Sequence, residues 1–212
     1  MAVLPSDQLI NDTESFQSVL EDSFSIASQT DALVTIGIKP TWPCPSYGYI
    51  ERGSPAQLGF NHTNEQFEVS RLREKPNPEL AEQFLRQGNF AWNAGMFVWS
   101  LKTVTAELRQ HTPELAGFIE ELESSTDIHQ TIDEKFPSLT PISIDYALME
   151  KASRVLNIEA TFDWDDVGSW ISVAKYLDTK GDNNQTNDEI TEIESENNIV
   201  FNGRKQARIA LL

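Results

Sequence analysis

The near-continuous apolar run Leu33–Ile38, closed off by Pro40, has no polar face to turn toward water. A strand with one wet face alternates apolar and polar residues, so an unbroken run predicts a strand covered on both sides, with helices packed above and below a sheet. The flanking sequence supplies that cover. Asp12 to Gln29 carries Phe16, Val19, Leu20, Ser23 and Ala27 on one helical face, with Asp12 or Thr13 as the cap. Pro78 to Arg86 reads as a helix stopped by Gly88, and Val104 to His111 as another, punctuated by Pro113 before helical spacing resumes over 114–122. Ser143 can cap a helix through Lys151, and Ser169 to Leu177 reads as the last helix. Strand candidates at Ala2-Val3-Leu4, Phe67 to Arg73, Met96 to Trp99 and Val155 to Thr161 alternate with these helices. The pattern predicts an α/β fold built on a mixed, mostly parallel sheet with flanking helices.

Charge restricts the partners. The chain carries 33 acidic and 16 basic residues, a net charge of -17. Such a surface argues against bulk nucleic acid and against an anionic membrane face, but a metal ion or a local lysine can reverse the sign within a site. Cys44 is the one cysteine, so neither an internal disulfide nor a four-cysteine zinc site is available. His62, His111 and His129 are scattered in polar surroundings and read as surface residues. No apolar run reaches membrane-spanning length, and Asp7 and Asp12 interrupt any secretory signal, so a cytoplasmic location is expected. Residues 1–177 read as the α/β domain, 178–197 as an acidic linker, and 198–212 as the start of a C-terminal β segment.

The chemistry concentrates at the ends of the expected strands, where open α/β sheets bind ligands. Phe162–Trp170 holds three aspartates, two tryptophans and Gly168 in nine residues. Crowded carboxylates need a compensating cation or donor, and an oxygen-rich set suits Mg2+, which takes one or two carboxylates plus substrate phosphates. Asp7 follows the strand at Ala2-Val3-Leu4, Glu74-Lys75-Pro76 follows the strand at Phe67 to Arg73, and Trp92-Asn93-Ala94-Gly95 precedes the strand at Met96. Separated carboxylates could share a divalent cation, a lysine could hold a phosphate, and an asparagine could bond a sugar hydroxyl.

Taken in order, Val3-Leu4-Pro5-Ser6-Asp7-Gln8-Leu9-Ile10, Tyr47-Gly48-Tyr49-Ile50, Glu74-Lys75-Pro76, Trp92–Phe97, Ser143–Glu150 and Trp164–Trp170 resemble the mannose-1-phosphate guanylyltransferases, within the sugar nucleotidyltransferase family. The resemblance covers residues 1 to about 177 and implies an incomplete Rossmann-like nucleotidyltransferase domain. It implies that Asp7 and Asp166 are catalytic and bind Mg2+ (or Mn2+), with Gly168 as the turn beside Asp166. Gly48 would let backbone approach the sugar, Glu74 and Asn93 would bond sugar hydroxyls, and the catalytic Lys75 would contact the sugar phosphate. Asp145 reads equally as an acid stabilising a helix N-terminus. Trp92, Trp164 and Trp170 read as packing residues, and Asp163 and Asp165 as facing solvent or a neighbouring amide. The implied substrates are GTP and mannose-1-phosphate, giving GDP-mannose and pyrophosphate, with no nucleic-acid or membrane partner and a homo-oligomer as an option.

The chain departs from that pattern in two places. The family's N-terminal glycine-rich loop and its C-terminal β domain are not found, so this chain alone is expected to be inactive. Cys44-Pro45-Ser46 stands where the family has Glu-Thr-Gly, and Pro45 removes a backbone donor. The alternatives are a degenerate sugar-phosphate or metal-binding remnant, or a non-catalytic subunit of a full-length partner.

Overall fold

The computed structural model describes residues 1–204 and 208–211. They form two compact units, one of residues 1–5 and 12–163, the other of residues 6–11 and those from 164 onward.

The first unit runs β1 (Ala2–Val3), α1 (Thr13–Gln29), β2 (Leu33–Ile38), β3 (Tyr49–Pro55), β4 (Gln66–Arg73), α2 (Pro78–Gln87) and β5 (Phe90–Val98). It continues through α3 (Leu101–His111), α4 (Pro113–Ser124), α5 (Ile128–Lys135), a 3-10 turn, a π-helical turn (Asp145–Met149) and β6 (Val155–Glu159). The strands make one six-stranded sheet in the order β1-β5-β2-β6-β4-β3. All six residues of β2 are buried, as an apolar run without a polar face requires. Helix starts and stops follow local chemistry. Asp12 accepts from the Ser15 amide to cap α1, and Asn77 accepts from Leu80 to cap α2. Gly88 takes a left-handed conformation that ends α2.

The mixed sheet with flanking helices matches the expectation, but its parallel content is smaller than expected. Within this six-stranded sheet only β2 and β6 pair in parallel, while β1–β5, β2–β5, β3–β4, β3–β5 and β4–β6 are antiparallel. Strand–helix alternation predicts parallel neighbours only where the helix crosses between adjacent strands. Here β3 and β4 are joined without a helix, and β5 runs against all three strands it pairs with, β1, β2 and β3.

The strand expected to begin at Met96 begins at Phe90, so Trp92–Gly95 lies inside β5 rather than before it. The reason is a bulge. Thr35 faces Phe97 and Gly37 faces Asn93, so two steps along β2 span four along β5. Gly95, at φ +68, supplies the turn that absorbs the excess. Beneath the sheet, Phe84 stacks on Phe90 with ring centroids 4.0 Å apart, and Tyr49 packs beside both. A cluster containing Leu33, Ile50, Phe97, Trp99 and Leu148 forms another part of the core.

The second unit contains α6 (Trp170–Ala174), β7 (Asp178–Lys180), β8 (Asn184–Thr186), β9 (Ile190–Glu192), β10 (Ile199–Val200) and β11 (Ile209–Leu211). The stretch read as a linker therefore carries three short strands. Hydrophobic patterning misses them because polar side chains organise the backbone. Buried Asn184 donates to the Ser195 carbonyl and accepts from the Asn198 amide, both at 2.9 Å. Of the expected β segment at 198–212, residues 205–207 and 212 lie outside the described residues. Among the described residues, no helix is long and apolar enough to cross a membrane.

Candidate functional site

In the first unit, four of the sequence-nominated residues converge. The Gly48 carbonyl accepts the Asn93 backbone amide at 2.8 Å, which fixes the start of β3 against the bulged part of β5. Glu74 and Lys75 sit just past the end of β4. A Cβ built on Gly48 would stand 2.7 Å from Glu74 Oε2 and 3.3 Å from the Asn93 Cβ. Only glycine leaves room for the carboxylate and the amide to flank this backbone. Lys75 Nζ lies 3.8 Å from Glu74 Oε1 and is otherwise exposed. Its backbone is left-handed, at φ +43, immediately before Pro76. Such a conformation costs roughly 1–3 kcal/mol and tends to persist where function requires it.

The Asn93 side chain is tied on three sides. Nδ2 donates to Asp145 Oδ1 at 2.8 Å, while Oδ1 accepts from the Gly95 amide at 3.1 Å and the Thr35 hydroxyl at 3.3 Å. Burial pushes the Glu74 carboxyl above its usual range, the charge of Asp145 pushes it further, Lys75 opposes, and Glu150 adds to the rise. Burial likewise raises Asp145, against the hydrogen bond from Asn93. An anionic acceptor, an oriented amide donor and a lysine therefore stand side by side, a set that can read a hydroxyl and attract an anion.

In the second unit, Leu9 and Asp165 form an antiparallel bridge through backbone bonds of 2.9 and 3.1 Å. This lays the segment carrying Asp7 beside the one carrying Asp166. Trp164 Nε1 donates to Gln8 Oε1 at 2.9 Å and ties the two segments again. Gly168 leaves the Asp166 carboxylate its place, since a Cβ there would crowd Asp166 Oδ2 and push it aside. Val167, at φ +47, is a β-branched residue in the left-handed region, a second strained point within a nominated segment. Asp165 is already engaged. Burial disfavours its charge, but the Lys175 ammonium at 2.8 Å and the Val167 amide outweigh burial and hold its carboxyl below the usual range. Asp163, at the end of the first unit, accepts the Asp12 amide at 2.7 Å. Asp163 and Asp165 therefore both bond neighbouring groups.

No group of three or more His, Cys, Asp and Glu side chains able to hold a metal exists among the described residues. The residues nominated from the sequence to hold a metal are two aspartates, Asp7 and Asp166. That suits Mg2+, which needs few protein oxygens when phosphates complete its shell, and does not suit a dedicated all-protein cage.

Two other readings change. Trp170 is 64% exposed rather than in the core; its ring lies against Phe201, centroids 5.2 Å apart, at a cavity of about 250 Å³ that Ile199 also lines. His111 is not a surface residue, since its Nε2 lies 3.3 Å from the buried Glu107. Sequence reading also misses Thr35, which is hidden within an apolar run and gives no signal. Asp145 lies in the Ser143–Glu150 segment of family type and reads equally as a helix-end acid, and nothing in the sequence signals its bond to Asn93.

Comparison with known proteins places these features in a family. Residues 1–181 match the nucleotidyl transferase family model. A mannose-1-phosphate guanylyltransferase of Sinorhizobium fredii is 36% identical over 95% of this chain and 39% of its own length. The mannose-1-phosphate guanylyltransferase of Escherichia coli K12 is 30% identical over 95% of this chain and 42% of its own. A solved structure described as mannose-1-phosphate geranyltransferase, from Thermus thermophilus, superposes with a TM-score of 0.81 at 28% identity, covering 100% of this chain and 59% of that one. The chain thus spans about two fifths of the length of these curated relatives. Its fold and its matched residues show that the chain belongs to the nucleotidyl transferase family.

Proposed function

We propose that this chain carries the sugar-phosphate-binding part of a mannose-1-phosphate guanylyltransferase, which joins GTP and mannose-1-phosphate into GDP-mannose and releases pyrophosphate. The observation that carries this reading is the Gly48–Glu74–Asn93 arrangement with Lys75 at its side. Glu74 takes hydrogen bonds from sugar hydroxyls, Asn93 gives one, and Lys75 attracts the phosphate. The names of the guanylyltransferase relatives supply the choice of mannose and guanine.

The reaction needs little covalent help from protein. An anionic oxygen of the sugar phosphate attacks the α-phosphate of GTP in line, and pyrophosphate departs with the electron pair of the broken bond. Orientation and charge neutralisation dominate such a transfer. Asp7 and Asp166 would hold Mg2+ (or Mn2+), which when bound neutralises phosphate charge. Lys75 screens the incoming phosphate, and Glu74 and Asn93 fix the sugar ring.

Calorimetry with mannose-1-phosphate tests the reading. Wild type should bind it, and Gly48→Ala should weaken binding about tenfold or more by displacing the Glu74 carboxylate. Equal affinity in the two proteins, or no binding to wild type, would sink the assignment.

A further inference from the structure

Asp145 has no assigned role beyond its place at a helix end, yet its carboxylate decides what Asn93 can offer a ligand. A primary amide presents an acceptor on one side and donors on the other, and its neighbours determine which way it faces. The Gly95 amide can only donate, so Oδ1 of Asn93 must face it, at 3.1 Å. The Thr35 hydroxyl, fully buried in β2, approaches the same oxygen at 3.3 Å. With Oδ1 committed, Nδ2 is aimed at Asp145 Oδ1, 2.8 Å away. Nδ2 carries two hydrogens, and the second has no partner among the described residues. It is the one group of this side chain left for a ligand.

Asp145 is itself held in place. It opens the π-helical turn, where its carbonyl accepts the Glu150 amide at 2.9 Å, and Ala147, Leu148 and Met149 are all buried behind it. Wide turns of this kind are frequent at functional sites. Here the first residue of the turn is the acid that meets Asn93.

We infer that Asp145 is a positioning residue: by accepting one Nδ2 hydrogen it locks the Asn93 amide so that it presents a donor, not an acceptor, to a sugar hydroxyl beside Glu74. A hydroxyl in that place donates to the Glu74 carboxylate and accepts from Asn93. A fluorine or methoxy group there could still accept but could not donate. The inference rests on the sugar-phosphate reading above for its ligand, but its geometry can be tested without one.

In the absence of ligand, the Asn93 side-chain amide in a 15N NMR spectrum should show one hydrogen shifted downfield and protected from water. That signature should persist in Asp145→Asn, which keeps an acceptor oxygen, and vanish in Asp145→Ala. Its survival in Asp145→Ala would overturn the inference whatever the ligand. For mannose-1-phosphate, Asp145→Ala should weaken binding about tenfold, as expected for a lost hydrogen bond to a charged group, and Asp145→Asn should restore most of it. The double variant Asn93→Ala/Asp145→Ala should bind no worse than Asn93→Ala alone, because Asp145 acts through Asn93. Additive losses would mean that Asp145 acts on its own or merely supports the fold. Failure of wild type to bind the sugar phosphate, with the amide signature intact, would reject the substrate and leave the positioning role standing.

Discussion

Glu74 shows how a residue proposed to bind sugar can weaken the protein that carries it. Its carboxylate is partly buried near Asp145 and Glu150, with Lys75 as the counter-charge. Burial and like charge raise its pKa above the ordinary value of 4.5, so the folded protein holds this proton more tightly than the unfolded chain does. Stability then falls as pH rises from about 4.5 through the folded value, because ionisation costs more in the folded state. Replacing the carboxylate by a neutral amide removes that cost. Glu74→Gln should melt at a higher temperature than wild type at pH 7, with the difference shrinking as pH is lowered and absent below about 4.5. The same variant should bind the sugar phosphate more weakly. Calorimetric melts across this range would decide it, and a stabilisation that stays constant with pH would show that the effect is packing rather than charge.

At the scale of the element, the site depends on irregularities in regular structure. The bulge in β5 aims Asn93, and the π-helical turn aims Asp145. The turn is anchored by Leu148, which is fully buried in the cluster with Leu33, Ile50 and Phe97. Leu148→Ala should cost about 2–5 kcal/mol through lost burial and the cavity left behind. Urea unfolding would measure it, and a loss below about 0.5 kcal/mol would show that the turn does not depend on this anchor. These irregularities are the part of the fold that the sequence hides. The helices α1 and α2 are legible because Asp12, Asn77 and Gly88 act locally. Strand β2 is legible because its apolar run has a single reading. The start of β5 is not, because Asn93 and Gly95 look like loop residues until the extra length is set against β2. The antiparallel direction of β5 also depends on partners far along the chain. Of the site, Glu74, Lys75, Asn93 and Gly48 are legible from their motifs, whereas the link from Asn93 to Thr35 and Asp145 joins residues 58 and 52 positions apart and leaves no local pattern.

Across the whole molecule, a net charge of -17 opposes the anionic ligand proposed for the local site. Which effect controls association depends on how far charges are felt. At about 10 mM salt the screening length is roughly 30 Å, so a ligand meets most of the 33 acidic residues together. At about 150 mM it falls to roughly 8 Å, leaving mainly the groups that line the site, where Lys75 counts most. Raising salt over this range should therefore speed the association of mannose-1-phosphate, by about threefold, rather than slow it as for a basic protein. The dissociation rate should rise slightly, because contact between Lys75 and the phosphate is also screened. Replacing Lys75 separates the two terms. Lys75→Met should keep the salt acceleration of association while losing the salt dependence of dissociation. Magnesium should accelerate association more than sodium at equal ionic strength in wild type, and this excess should shrink in Asp7→Asn/Asp166→Asn. Stopped-flow mixing would resolve both rates. Association that slows with salt would mean that local positive charge, not the acidic surface, governs the approach.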